Sequence, residues 1–247
     1  MDMKKLSAEF IGTMTLVLVG CGTAMLVGCD AANGCGYILT AFAFGLVIVG
    51  MAYCVGNISG CHINPAVSLA CFLSGRMSAK DFAGYVVAQI IGAIVGSCFL
   101  WIIFSFGGVE DKTGGMGANG LGGVEGSYTA GVLVEVLLTF IFVLVILGVT
   151  SEKANHGSFG GIIIGFALVM VHIFGIGLTG TSVNPARSIG PVVFNAIEGN
   201  GEPARVLWVF IVAPLIGAAL AAVVYKAWET ERSEPAKKAP AKKSSKK

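Results

Sequence analysis

Two copies of the tripeptide Asn-Pro-Ala are the most informative residues for chemistry. They are Asn64, Pro65 and Ala66 in the first half of the chain and Asn184, Pro185 and Ala186 in the second half. Asn is a favoured helix N-cap and Pro is tolerated at the first helical position, so each copy predicts a helix start. A helix N-terminus has unpaired N–H groups and a positive potential. The two Asn side chains can add further N–H donors.

Backbone acceptors are predicted just before each helix start. The stretches 57–63 and 177–183 contain Gly, Ser and Thr, and we predict that their backbone is not helical. The carbonyls expected to face a pore are those of Gly60, Cys61, His62, Gly180, Thr181 and Ser182. A file of water molecules can donate to these carbonyls and accept from the asparagines, while the positive potential opposes cations and protons. The two segments therefore predict a pore for water.

An internal repeat relates the two segments. Residues 58–68 align with residues 178–188 at a constant offset of 120, with five of eleven positions identical, and the same offset superposes Gly45 on Gly165. One Asn-Pro alone could be a simple loop turn, but two copies at matching places argue against that explanation. Each copy holds three long apolar segments. Because three is odd, the second copy must cross a membrane in the opposite direction, which predicts an inverted repeat.

The composition supports a membrane protein. Of 247 residues, 55% are hydrophobic and 12% are charged, against roughly 25% charged in an average soluble domain. Six segments are long enough to cross about 30 Å of hydrocarbon: 6–28, 37–57, 82–106, 128–150, 159–179 and 205–228. The segments after each Asn-Pro, 65–74 and 185–196, are too short to span. We predict an all-α polytopic membrane protein with six transmembrane helices and two re-entrant half-helices.

The predicted division of the chain follows the repeat and the charges. Residues 1–120 form the first repeat, residues 121–231 the second, and residues 232–247 a disordered basic tail with a net charge of +6. Thirteen of the sixteen basic residues fall on one face, and only Lys112 and Arg205 on the other. The positive-inside rule then predicts that both termini are cytoplasmic. Two interpretations of the tail are open: weak attraction to anionic lipid, or a solvated segment without a binding role. The second is favoured. No basic stripe suggests nucleic-acid binding.

Two acidic residues recur within the spans, Glu9 in the first repeat and Glu135 in the second. Acids at membrane depth often mark proton relays. Their symmetric placement favours a bracing role instead, in which each carboxylate accepts hydrogen bonds from backbone N–H groups of its re-entrant loop, because lipid cannot satisfy those groups.

These residues and motifs resemble those of the aquaporin (major intrinsic protein) family, in particular its water-selective members, over about residues 4–228. The resemblance implies six tilted helices plus two half-helices, a pore in each subunit, and a homotetramer in the plasma (inner) membrane. Water is the implied permeant, and no cofactor is implied.

The same resemblance implies an extracellular-side selectivity filter. Carried over to this sequence, its members are Phe44, His172, Thr181 and Arg187. An aromatic residue with an imidazole is typical of a narrow water filter, and Ser188 is also typical of water channels. Ile211 departs from the Trp that many water channels carry. Arg187 is expected to donate to water and repel cations, with loop carbonyls holding its other N–H groups. The alternative function is a facilitator of glycerol or other small neutral solutes.

The seven cysteines all lie in the first hundred residues. None has metal-ligand spacing, and most are expected to be small buried residues. Cys29 and Cys35 flank a short loop and could pair. Cys21 is expected at a close helix contact, within or between subunits. The Cys61 thiol is expected near the pore. No metal cluster or nucleophile with its base is visible, so we do not expect an enzyme. A structural or adhesive membrane protein is the remaining alternative.

Overall fold

The computed structural model describes residues 2–29, 35–154 and 156–231. Within these ranges the chain forms eight α-helices and no β-strand. The helices are α1 (Met3–Val27), α2 (Cys35–Ser59), α3 (Pro65–Leu73), α4 (Ala79–Gly107), α5 (Tyr128–Val149), α6 (Gly160–Thr179), α7 (Pro185–Ile197) and α8 (Glu202–Glu231). Two short 3-10 turns, Gly122–Val124 and Gly157–Phe159, lie in loops.

Six of these helices are long and apolar enough to cross a membrane, and the predicted fold class is confirmed. They are α1, α2, α4, α5, α6 and α8. Their bounds agree with the predicted spans to within a few residues. The largest shift at a start is in α1, α4 and α8, which each begin three residues earlier than predicted. In α4 the reason is a cap, because the Ser78 hydroxyl accepts a hydrogen bond of 3.1 Å from the Asp81 backbone N–H.

Glycines allow the long helices to approach closely. A Cβ atom built on Gly96 of α4 would lie 2.6 Å from the Met14 carbonyl oxygen of α1. Gly45 of α2 and Gly165 of α6 contact each other in the same way, since a Cβ on either would lie 2.6 Å from the other's carbonyl oxygen. Close backbone approach of this kind is typical of helix packing in membranes. The Gly45–Gly165 contact joins the two repeats at matching positions.

The two short helices α3 and α7 contain 9 and 13 residues, so at 1.5 Å per residue neither can cross a bilayer. Each begins at the Pro of an Asn-Pro-Ala segment and is packed among the long helices. α3 contacts α8, α4 and α5, and α7 contacts α4, α8 and α1.

Residues 108–127 join the two repeats and are held at several points. The Lys112 N–H donates to the Met25 carbonyl at 2.9 Å. The Asn195 amide donates to the Gly115 carbonyl, also at 2.9 Å. These bonds attach the joining loop to α1 and to α7. The loop therefore has a defined path despite its many glycines.

The outcomes for the cysteines and the tail differ. Cys21 is fully buried, and a Cβ on Gly117 of the joining loop would lie 3.1 Å from its Cβ. The suggestion of a contact between subunits is therefore wrong, because the joining loop covers this position. The Cys29 sulfur lies 3.3 Å from the Thr40 hydroxyl. The Cys35 side chain and the tail 232–247 lie outside the described residues.

Candidate functional site

The site begins with the two helix starts. Asn64 and Asn184 both have extended backbone and cap their helices with the side-chain oxygen. The Asn64 Oδ1 accepts from the Ala66 N–H at 2.8 Å. The Asn184 Oδ1 accepts from the N–H groups of Ala186 at 3.1 Å and Arg187 at 3.3 Å. At each of the two motifs, the local sequence thus ends the loop and starts a helix.

The same two asparagines link the repeats. The Asn64 Nδ2 donates to the Val183 carbonyl at 2.7 Å, and the Asn184 Nδ2 donates to the Ile63 carbonyl at 2.9 Å. An amide nitrogen carries two protons, so each Asn has one further N–H for another acceptor. Both side chains line the same narrow cavity between the half-helices.

The residues before each helix have the predicted non-helical backbone. Positive φ values occur at three positions in each loop, at Gly60 (88°), Cys61 (52°) and Ile63 (41°) in the first. The second loop repeats the pattern at Gly180 (73°), Thr181 (46°) and Val183 (45°). Such conformations are costly for residues other than Gly. Among the described residues, the carbonyls of the six predicted acceptors receive no hydrogen bond.

The two buried carboxylates hold these strained loops. Glu9 accepts from the backbone N–H groups of His62 at 2.9 Å and Ile63 at 2.6 Å. Glu135 accepts from those of Ser182 and Val183, both at 2.9 Å. Both carboxylates are completely buried, so these bonds satisfy N–H groups that lipid could not. The contacts are those that a bracing role requires.

A narrow cavity runs past the asparagines. The volume open to the centre of a water molecule is only about 20 Å³, enough for about one water. The lining residues are Leu16, Phe44, Ile48, His62, Asn64, Phe142, Leu168, His172, Ser182, Val183, Asn184 and Arg187. Five of these, Leu16, Ile48, Phe142, Leu168 and Val183, were not predicted. Nothing in the sequence distinguishes them from ordinary apolar core residues.

Three of the four predicted filter residues lie together at this cavity. The rings of Phe44 and His172 stack with their centroids 4.7 Å apart. The Arg187 guanidinium lies 5.0 Å from the centre of the Phe44 ring, within the range of a cation–π contact. The Arg187 Nε and the His172 Nε2 are buried and have no hydrogen-bond partner in the described part of the protein.

The Thr181 side chain is placed differently. It is fully buried, lies against Gly175 of α6 and is not among the residues that line the cavity. The absence of a side chain at Gly175 leaves room for it there. The Thr181 side chain is therefore separated from the three filter residues that line this cavity. The Cys61 side chain likewise packs against the main hydrophobic core and does not line the narrow cavity.

The residue that accepts a hydrogen bond from Arg187 was not predicted from the sequence. The Arg187 Nη1 donates to the Asn119 side-chain oxygen at 2.7 Å, and the Ser188 hydroxyl donates to the same oxygen at 2.7 Å. The Asn119 Nδ2 donates to the Thr179 carbonyl at 3.3 Å. The expectation that loop carbonyls hold the guanidinium is wrong, since a side-chain amide of the joining loop does so. The only signal was a polar residue within a Gly-rich loop.

Comparisons with known proteins agree with this geometry. The family model described as "Major intrinsic protein" matches residues 1–225. Proteins named Aquaporin Z from Brucella melitensis and from Bradyrhizobium diazoefficiens are each 45% identical to this chain, covering 91% and 94% of it and 97% and 95% of their own lengths. The Aquaporin Z of Rhodopseudomonas palustris is 42% identical over 94% of this chain and 95% of its own length.

A solved structure matches the fold. The X-ray structure of the aquaglyceroporin from Plasmodium falciparum superposes with a TM-score of 0.81, covering 91% of this chain and 95% of that one at 24% identity. At this identity the match concerns the fold alone. The prediction of a channel rather than an enzyme is confirmed by the family and by the relatives. Together with the paired Asn-Pro-Ala helix starts, the matches show that the chain belongs to the major intrinsic protein family of membrane water channels.

Proposed function

We propose that this channel conducts water in single file and excludes ions and protons. The observation that carries the proposal is the stack of Phe44, His172 and Arg187 around a cavity with room for about one water. A three-carbon polyol needs more volume than that space offers, so the proposal favours water over glycerol. The names of the Aquaporin Z relatives support the same choice.

Exclusion is proposed to arise at two levels. At the level of Asn64 and Asn184, two helix N-termini face each other and oppose cations through their positive potential. The free amide N–H groups there bind water oxygens, and the loop carbonyls Gly60 to His62 and Gly180 to Ser182 accept water protons. At the filter, the charge of Arg187 adds a second barrier to cations, and Thr181 contributes its carbonyl.

The proposed assembly is a homotetramer in the plasma (inner) membrane with both termini cytoplasmic. The positive-inside rule supports this orientation, because Arg76, Lys80 and Lys153 lie in loops on the same face as the termini. The division into repeats 1–120 and 121–231 is supported by the contact between Gly45 and Gly165. Bracing by Glu9 and Glu135 is proposed as the means of holding the loops.

The test uses the full chain in liposomes. Osmotic shrinkage, measured by light scattering, should be at least several-fold faster than in liposomes of the same lipid without protein, whereas glycerol uptake should match the lipid alone. Equal stimulation of both fluxes would instead identify a broader solute facilitator. Water flux no faster than bare lipid would contradict conduction and favour a structural membrane protein.

The filter role of Arg187 has its own test. Arg187→Val removes the buried charge that opposes cations, and charges at membrane depth are costly barriers. We expect proton leak, measured with a pH-sensitive dye inside the liposomes, to rise roughly tenfold for a barrier lowered by ~1.4 kcal/mol. The matched control is Arg205→Gln, because Arg205 is exposed and pairs with the equally exposed Glu202. Unchanged leak in Arg187→Val would contradict the role.

A further inference from the structure

Two histidines line the narrow cavity, His62 on the side of the first loop and His172 in the filter. In His172 the Nδ1 lies 3.0 Å from the Leu168 carbonyl oxygen. A carbonyl oxygen can only accept, so the Nδ1 must carry a proton. In the neutral ring the Nε2 is then unprotonated, and it faces the filter as an acceptor.

The Nδ1 of His62 has a hydroxyl beside it instead of a carbonyl. Its Nδ1 lies 3.1 Å from the Ser68 hydroxyl, a group that can donate or accept. The same hydroxyl lies 3.0 Å from the Gln89 Nε2. The orientation of the Gln89 amide is fixed by Glu9, whose Oε2 accepts from the same Nε2 at 2.8 Å.

The direction of each hydrogen bond follows from this arrangement. An amide NH₂ only donates, so the Ser68 oxygen accepts from Gln89. The proton of the Ser68 hydroxyl is then directed to the other neighbour, the His62 Nδ1, which must accept it. With the Nδ1 unprotonated, the neutral ring carries its proton on the Nε2.

The reverse arrangement leaves a group unsatisfied. If the His62 Nδ1 donated to Ser68, the hydroxyl would receive two donors and its own proton would have no acceptor among the described residues. Ser68 is completely buried, and an unsatisfied buried donor disfavours a state by roughly tenfold or more. The His62 Nε2 itself makes no hydrogen bond within the described chain.

We infer that Ser68 and Gln89 are positioning residues that hold His62 with its proton on the Nε2, so that the ring donates a hydrogen bond to water in the pore. The role toward water rests on the proposed function, whereas the position of the proton does not. The two pore histidines thus have opposite roles, His62 as a donor and His172 as an acceptor.

This assignment supplies a group that the first loop lacks. The carbonyls of Gly60, Cys61 and His62 accept protons from water but cannot bind the lone pairs of its oxygen. An N–H group from His62 provides a donor at the same level. A water molecule there can then make hydrogen bonds of both kinds to the protein, as it does in bulk water.

The test is nitrogen-15 solid-state NMR of the full chain in lipid vesicles with labelled histidine. Protonated and unprotonated ring nitrogens have well-separated shifts, and the variants His62→Gln and His172→Gln assign the signals. We expect His62 to be protonated at the Nε2 by about tenfold over the other tautomer, and His172 to be protonated at the Nδ1. A His62 ring protonated mainly at the Nδ1 would overturn the inference.

Variants test the chain of hydrogen bonds from Gln89 through Ser68 to His62, which we call the relay. Ser68→Ala removes the donor to the Nδ1 and should bring the two His62 tautomers to near parity. Gln89→Met removes the amide that occupies the hydroxyl oxygen and should have the same effect if Ser68→Ala does not fold. The matched control is Ser188→Ala, at the same position of the second repeat, which should leave the His62 ratio unchanged. A His62 ratio unaffected by Ser68→Ala or by Gln89→Met would overturn the relay.

Water flux separates this inference from the proposed function. Ser68→Ala should lower the water permeability per channel about twofold to threefold, because half of the His62 rings then present an acceptor. Fast flux in the unmodified chain with the opposite tautomer would overturn the inference alone. Flux at the level of bare lipid with the expected tautomer would overturn the proposed function and the role of His62 toward water, but not the relay.

Discussion

The two re-entrant loops have the same backbone conformation, but the side chains around them differ. Cys61 and Thr181 have φ values of 52° and 46°, and both loops are held by a buried carboxylate. Ser68 and Ser188 occupy matching positions, yet Ser68 bonds to a pore histidine, whereas Ser188 bonds to Asn119, the anchor of Arg187.

This difference separates two physical requirements. Non-helical backbone at membrane depth must have its N–H groups satisfied, and that need is the same in both halves, so the same type of residue meets it. The chemistry at the two sides of the asparagines need not be the same. Val67 and Arg187 stand at matching positions, so at this position only the second half-helix carries a charged side chain.

Substitution of the two bracing carboxylates should give the largest difference between the halves, measured as a loss in the free energy of unfolding. Both Glu9 oxygens accept two hydrogen bonds, from Ser59 and His62 at one oxygen and from Ile63 and Gln89 at the other. In Glu9→Gln the new NH₂ group replaces an oxygen that accepts two hydrogen bonds wherever it lies, and one of the two donors is a backbone N–H in either case. At about 1–3 kcal/mol for each unsatisfied donor, we expect the free energy of unfolding to fall by about 2–6 kcal/mol, measured by denaturant unfolding in detergent.

Glu135→Gln is the comparison for this prediction. Among the described residues, the Glu135 Oε2 accepts one hydrogen bond, from Val183, while the Oε1 accepts two, from Thr179 and Ser182. An amide can place its NH₂ group toward Val183 and lose one bond, so we expect a loss of about 1–3 kcal/mol. An equal loss in both variants would show that the number of accepted bonds does not set the strength of bracing.

The anchor of the filter gives the next largest effect. Asn119→Ala removes the acceptor of Arg187, and a hydrogen bond to a charged group contributes about 1.5–3 kcal/mol. The released guanidinium can turn into a cavity that holds about one water. We expect the water permeability of liposomes to fall by roughly tenfold, in line with the loss of the anchored arrangement.

A nearby asparagine serves as the control. Asn200 bonds to Asn195 in the loop before α8 and does not contact Arg187. Asn200→Ala should keep the permeability of the unmodified channel. If Asn119→Ala also kept it, the guanidinium would have to be held by its stacking on Phe44 rather than by the joining loop.

The sequence predicted those parts of the site that depend on local signals or on the repeat. Asn64 and Asn184 are local cap signals, and Glu9 and Glu135 stood out as acids within apolar spans. The two aromatic rings that lie with Arg187 at the cavity required the family resemblance, because Phe44 and His172 are compatible with ordinary packing when each is considered alone.

The remaining parts depend on the path of the chain between elements. Asn119 lies 68 residues before Arg187 in a Gly-rich loop without periodicity, so no sequence pattern places the two together. Leu16 and Leu168 line the cavity, but a helix that faces lipid, core and pore shows apolar residues on every side. Thr181 was predicted by analogy, and its side chain found space against Gly175 instead.

The far ends of the half-helices give the smallest expected difference. After α3, Arg76 pairs with Glu229 at 3.3 Å and donates to Thr150 at 3.0 Å, and it lies 5.3 Å from the centre of the Tyr225 ring. After α7, Glu198 accepts a bond of 3.0 Å from Trp101. Both groups are partly exposed, and such contacts contribute about 0–1 kcal/mol each.

We therefore expect Arg76→Gln to lower the free energy of unfolding by about 1 kcal/mol, and Glu198→Gln by less, because Arg76 contacts more elements. Denaturant unfolding measures both, with Lys80→Gln as an exposed control on the same face as Arg76. Water permeability should stay unchanged in all three, since the proposed pore lies at the starts of the half-helices. A drop in permeability with Arg76→Gln alone would show that the end of α3 also holds the first loop in place.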